Sequence, residues 1–517
     1  MKKAIIAVFL IFCFLTFSAS ACTMIYAGPA NTTDGTTLYG RSEDYYNSRN
    51  KLFVKVESGA FSGEYKGCPA YGGGFTMPLP RETSLAFTAF AEDNADGICP
   101  ECFEEADHYA YTEAGTNEMG VTVSGTETLY GLDAVLAVDP YRDGEDPALP
   151  IGIEETDIPT VILSQAETAK EGLELLLSIY DTYGCQDAAG LIIADQTEMW
   201  YVENCSGTQY VAIRMPADMV VLEPNMAIIG RIDLDDENVI SSENLIAVAL
   251  QAGTFAGDAE QNVIDFRASY SDPSVDTRLV KGLTYLNPAF GYTIEALEAD
   301  NTLFTISNLD ADGNIVPLYS NIKPDRAISV QEIVGYYQID GIGRDRNADT
   351  SIFSIAAEGA KETATVEWVS LNNNLYNVFV PYYPLLTNET YAGYRVGTGA
   401  EGAGFEAEVP QEGMYYEGKT WMPQADGSWT QVSGWVTYPD GWQDSFYWCF
   451  DALSNYLAYR DGSQADMVKQ ELAQYQDEIY AAFETMTPEN AEEVSNRLSE
   501  GAQELAYRLF TGISGLN

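Results

Sequence analysis

Residues 17–44, FSASACTMIYAGPANTTDGTTLYGRSED, constrain this chain more than any other stretch, because they join a cleavage site to a hairpin. Lys2 and Lys3, the apolar run 4–17, and the small residues Ala19 and Ala21 read as a secretory signal removed after Ala21. That run is shorter than the roughly 20 apolar residues of a bilayer span, and no later stretch reaches that length. The expectation is a soluble, exported chain, secreted or held outside the cytoplasm in the periplasm or at the cell surface, that begins at Cys22. After the cut, the alternation Thr23-Met24-Ile25-Tyr26-Ala27 predicts a strand, 31–35 a turn and 36–41 a second strand. A hairpin returns its far end beside its beginning, so Arg41 and Asp44 are expected near Cys22.

His108 is the only histidine of 517 residues. Hydrolases that use imidazole as base would depend on this one residue, and His-rich zinc sites are excluded; His108 itself, in Asp107-His108-Tyr109, reads as a surface or loop residue. A thiol nucleophile then needs another base, and cleavage before Cys22 creates one. The new α-amine, with an ordinary pKa of about 7.7–8.0, can take the thiol proton and later give it to a leaving amine. An arginine at position 41 favours the thiolate, and a carboxylate at position 44 can orient the amine. Of eight cysteines, Cys13 leaves with the signal. Cys22, Cys68, Cys99, Cys102, Cys185, Cys205 and Cys449 are an odd set, which leaves one thiol free, assigned to Cys22, with up to three disulfides among the rest. An acylated Cys22 on a lipid-anchored, non-catalytic binding protein is the rival reading, although Ala19 stands where a lipobox usually has leucine.

The 78 acidic residues outnumber 26 basic ones, for a net charge of −52 at pH 7. Self-repulsion on that scale argues against nucleic acid or an anionic membrane surface as partner, and a solvated acidic coat is expected. No cofactor or metal is expected: residues 310–314 (DADGN) lack the spacing and later glutamate of a calcium loop, and Cys99 and Cys102 lack a redox βαβ context.

A 46% hydrophobic content provides for a large core. Residues 60–80 read as a long loop, 83–90 as a strand, and 117–125 as turn then strand, bringing Glu127 and Thr128 to a strand end. One amphipathic helix is expected over 159–183, then a meander of strands at 190–194, 199–203 and 209–215. Helices follow at 242–252 and 329–337, the second opened by a Ser329/Glu332 capping box, and a hairpin at 363–370 and 377–383. Residues 398–446 read as a β-rich insertion or an ordered loop, and the tryptophans and tyrosines of 415–447 as core rather than the lining of a groove. Helices over 466–485 and 488–510, the second with Thr487 as cap and Pro488 first, complete an α+β fold. Residues 22–517 read as one large domain.

The mature start CTMIYAGPANTTDGTTLYGRSED resembles the C69 dipeptidases of the N-terminal nucleophile (Ntn) hydrolase superfamily, which includes penicillin V acylases and bile salt hydrolases. The likeness continues in order through 113–128, 187–216, 225–238, 366–383 and 445–455. It implies a four-layer αββα sandwich, here with insertions and C-terminal helices. It also implies Cys22 as nucleophile and amine base, Arg41 and Asp44 beside it, Asn225 as an oxyanion-binding amide and Arg278 as a further active-site arginine. Where the acylases place an asparagine, this chain has Glu127, leaving a backbone N–H near Thr126 as the substitute donor. The implied activity is hydrolysis of dipeptides or short peptides through a thioester, with an acylase of N-acyl amides as the alternative. Oligomeric state stays open, a homo-oligomer included.

Overall fold

The expected hairpin forms: β1 (Thr23–Ala27) and β2 (Thr37–Asp44) run antiparallel, with Thr23 opposite Ser42 and Met24 opposite Arg41. The chain is described by a computed structural model over residues 22–44, 50–67, 74–92, 112–126, 129–396, 404–411, 414–423 and 429–516. The signal segment, Cys68, Cys99, Cys102, His108 and Glu127 lie outside those residues.

β1 and β2 are interior strands of a six-stranded antiparallel sheet, in the order Val220–Glu223, β1, β2, Asn347–Ile355, Thr365–Leu371, Val380–Tyr382. A second antiparallel sheet has eight strands, from Val239–Ser241 through the meander Tyr210–Arg214, Met199–Asn204 and Gly190–Ala194 to Thr122–Thr126, Thr112–Thr116, Phe87–Glu92 and Lys51–Val56. Alternate side chains of its central strands enter different cores, as the two-residue period of a strand requires. Ile192, Ala194 and Tyr201 join the core shared with β1, whereas Leu191, Ile193, Trp200 and Val202 pack with the helices Ile158–Gln165 and Ala169–Thr182. This explains why GLIIA shows an unbroken apolar run rather than alternation. Between the sheets, Tyr39 donates its hydroxyl hydrogen to Thr122 Oγ1 at 2.6 Å and Thr88 donates to Glu367 Oε1 at 2.8 Å.

Helices Thr277–Leu286, Val330–Tyr337, Phe446–Asn455, Ala465–Phe483 and Ala491–Ser514 pack against the six-stranded sheet. The Ser329 hydroxyl accepts the N–H of Glu332, as the capping box predicts.

The structure departs from several expectations and agrees with others. The single helix over 159–183 is two, because Thr168 starts a new one: its Oγ1 accepts the N–H of Glu171 at 3.1 Å, and the Glu171 carboxylate accepts the N–H of Glu167 at 2.9 Å. Inside the loop expected at 60–80, Glu64–Lys66 pairs with Thr76–Pro78. The last helix starts at Ala491 rather than Pro488, after a turn in which Asn490 Oδ1 accepts the Thr487 N–H at 2.7 Å. Cys185, Cys205 and Cys449 carry free, buried thiols instead of disulfides. Residues 398–446 contain a three-stranded sheet, Gly404–Glu406, Tyr415–Pro423 and Trp429–Thr437. It is tied to the helix Phe446–Asn455 by Tyr438, whose hydroxyl donates to Asp451 Oδ2 at 2.9 Å. The DADGN segment is a solvated turn in which Asp310 Oδ1 accepts the N–H groups of Asp312 and Asn314 at 2.9 and 2.8 Å.

Candidate active site

Cys22 stands immediately before β1 and is 3% exposed. The hairpin register brings the Arg41 side chain to it. One guanidinium nitrogen of Arg41, Nη2, lies 3.5 Å from Cys22 Sγ and 3.3 Å from Glu155 Oε1. The other, Nη1, donates to the Glu113 carbonyl at 3.4 Å and lies 3.9 Å from Glu113 Oε2. Burial works against the charge of Arg41, but the Cys22 sulfur when ionised and the carboxylates of Glu155, Glu43 and Asp349 more than offset it and hold the guanidinium protonated. Burial pushes the Cys22 thiol up to about 11; Arg41 pulls it down, and Glu43, Glu155 and Asp44 push it further up. At neutral pH a sulfur held this way keeps its proton.

Arg278 holds the main chain of the same residue. It is the second residue of the helix Thr277–Leu286, where the cap residue Asp276 accepts its N–H at 2.8 Å and its Nε–H at 2.9 Å. So fixed, Arg278 Nη1 donates to the Cys22 carbonyl oxygen at 2.7 Å and to Thr23 Oγ1 at 2.7 Å, and lies 3.5 Å from Asp44 Oδ2. Tyr337 donates its hydroxyl hydrogen to the Thr23 carbonyl at 3.2 Å. Asp44 also accepts from Arg344 Nε at 2.9 Å and from the Asn347 amide.

Asn225 follows the strand Val220–Glu223, in which Glu223 lies opposite Met24. Asn225 stands two residues beyond that last pair, at the end of the sheet where Cys22 precedes β1. Its φ is +55°, a left-handed conformation that few residues besides glycine and asparagine adopt readily. Two buried carboxylates hold the turn: Glu223 Oε1 accepts the Met226 N–H at 3.3 Å, and Glu203 accepts those of Ile228 and Ile229 at 2.6 and 3.2 Å.

Behind Arg41, the carboxylates of Glu43, Glu113 and Asp349 stand close enough to share a cation. The Lys51 ammonium contacts Glu43 and Glu113 and lies 3.9 Å from Asp349, so a side chain supplies positive charge there. Burial, with the neighbouring charge of Glu43, pushes Asp349 up to about 7.

Of the sequence-expected residues, Arg41 and Arg278 touch Cys22 directly, Asp44 is linked to it through Arg278, and Asn225 follows the strand that pairs with β1 at the same end of the sheet. Sequence reading did not single out Glu155, Glu113, Lys51, Arg344, Asn347 or Tyr337 for this site. One signal was available: Lys51 and Glu113 are charged residues on strands otherwise dense in apolar or small residues, a pattern that demands a buried partner.

The profile of peptidase family C69 matches residues 21–416. A probable dipeptidase of Salmonella dublin is 29% identical over 391 residues, covering 70% of this chain and 81% of that protein. Probable dipeptidase B of Streptococcus pyogenes serotype M1 is 30% identical over 399 residues, 72% of this chain and 74% of that protein. Among solved structures, a conjugated bile acid hydrolase variant from Clostridium perfringens is similar over 70% of this chain and 96% of its own, with 10% identity and a TM-score of 0.28. The chain belongs to peptidase family C69, and it is a hydrolase.

Proposed function

We propose that this chain is an exported dipeptidase that becomes active when cleavage after Ala21 makes Cys22 the first residue of an Ntn hydrolase, a four-layer αββα sandwich spanning residues 22–517. The two facing antiparallel sheets and the helices packed against each support that architecture. The Cys22 thiol attacks the scissile carbonyl while its own α-amine takes the proton. The Asn225 amide, with backbone N–H groups, stabilises the oxyanion. The protonated amine then releases the leaving amine, and water cleaves the thioester. Arg41 offsets charge developing on sulfur, and Asp44 with Arg278 orients the new terminus.

The carrying observation is the grip on Cys22 from both ends: Arg41 at the sulfur and Arg278 at the carbonyl. When nucleophile and base belong to one residue, its backbone must stay still, because a displacement of about 1 Å can cost a hundredfold in rate. The names of the dipeptidase relatives support dipeptides as substrates. The test has two parts: intact mass of the mature protein, which should place its start at Cys22 with a free amine, and release of amino acids from a dipeptide panel run beside penicillin V and conjugated bile acids. Activity confined to the latter two, or an acylated Cys22, would overturn the reading.

A further inference from the structure

Glu155 shares an Arg41 nitrogen with the nucleophile. The same Nη2 reaches Glu155 Oε1 at 3.3 Å and Cys22 Sγ at 3.5 Å, so carboxylate and sulfur are separated by no more than two such contacts. The loop ahead of the helix Ile158–Gln165 carries Glu155, whose N–H donates to Asp187 Oδ2 at 3.1 Å. Of the other carboxylates nearby, Glu43 and Glu113 lie against Lys51, and Asp44 against Arg278, Arg344 and Asn347.

We propose that Glu155 receives the free α-ammonium of the substrate's N-terminal residue, which selects unblocked dipeptides over N-acylated ones. This rests on the reading of Cys22 as nucleophile. The dimensions suit it. An attacked carbonyl carbon sits about 3–3.5 Å from the nucleophile, the α-nitrogen lies two bonds beyond, and an ammonium meets a carboxylate at about 2.7–2.9 Å. That path is long enough to span the upper limit of separation that Arg41 sets. The local field gives the contact a second consequence. Glu43, Glu155 and Asp44 all oppose ionisation of the thiol, and a substrate cation docked at Glu155 counters that effect as it binds. An acyl group in the same place brings no charge and leaves the thiol as it rests.

The test uses the mature enzyme with alanyl-alanine, N-acetyl-alanyl-alanine and propionyl-alanine, the last of which lacks only the amine. The wild type should favour alanyl-alanine over propionyl-alanine by at least about tenfold in kcat/KM. Glu155→Gln should shrink that preference at least several-fold, with alanyl-alanine losing more than either uncharged substrate. Equal losses on all three substrates would mean that Glu155 only anchors Arg41, and would overturn the inference. So would a wild type indifferent to the amine, a result that stands even if Glu155→Gln fails to fold. Cys22→Ala separates the two claims. If it abolishes turnover while the preference ignores Glu155, this inference alone fails; if it leaves turnover intact, the Cys22 reading fails as well.

Discussion

At Cys22, burial and three carboxylates keep the proton on sulfur, and one guanidinium favours its loss. On the proposed mechanism, function then depends on the α-amine. Because the amine acts only when unprotonated, kcat/KM should rise with pH through its pKa of about 7.7–8.0. A mature protein left with one extra residue before Cys22 should lose activity, since the nitrogen becomes an amide; pH-rate profiles of the two forms check this. Cys22→Ser should reduce activity strongly and Cys22→Ala abolish it, with circular dichroism and melting temperature close to wild type. Asn225 permits a sharper separation of backbone from side chain. Asn225→Gly keeps the left-handed turn but removes the amide, so kcat should fall by about 10²–10³-fold with little change in melting temperature. Asn225→Ala should lose activity to a similar extent and also about 1 kcal/mol or more of stability, because alanine is strained at φ +55°. Equal melting temperatures for the two variants would contradict the strain argument.

At the level of elements, a strand hairpin and a helix terminus converge on one residue. A one-residue slip between β1 and β2 would carry Arg41 to the opposite face. The complete burial of β1 on both faces prevents that slip. The helices Ala465–Phe483 and Ala491–Ser514 lie beyond the C69 match yet are bonded into the edge of the six-stranded sheet. Gln476 accepts the Phe379 N–H at 2.7 Å and donates to its carbonyl at 3.1 Å, and Ser495 donates to the Pro381 carbonyl at 2.6 Å. Trp368 also packs its ring on Phe483, with centroids 5.0 Å apart. A chain ending at residue 464 should therefore expose apolar surface and a sheet edge and should aggregate on size-exclusion chromatography. A monodisperse, active truncation would show that the helices are dispensable.

For the whole molecule, the acidic excess and the buried carboxylates act in the same direction. Burial pushes Glu203, Glu367 and Asp349 up to about 7. A carboxyl whose folded pKa lies above its unfolded value of about 4 contributes stability that is fully present below that value and is lost as pH rises through the folded pKa. Net charge also grows more negative over the same range and increases self-repulsion. The melting temperature should therefore be higher at about pH 5 than at about pH 8, with added salt narrowing the difference. Thermal melts across that range check it, and a higher melting temperature at the alkaline end would contradict it. Since the proposed amine base acts only when unprotonated, the pH of best activity should lie above that of greatest stability.

Local chemistry was legible in the sequence. The alternating run after Cys22 yielded the hairpin, the β-rich runs between turn residues yielded the meander, the serine and glutamate at 329 and 332 marked a helix start, and the lone histidine directed attention to the thiol of Cys22. The break at Thr168 was legible too, as a threonine followed three positions later by glutamate, but the longer apolar period obscured it. Only the tertiary structure decided which charges surround Cys22. Glu155, Glu113, Lys51, Arg344 and Asn347 come from separate strands and loops, and no spacing along the chain records that they meet. A buried charge is set by the partners that replace its water, and those are fixed by packing between sheets rather than by neighbours in sequence.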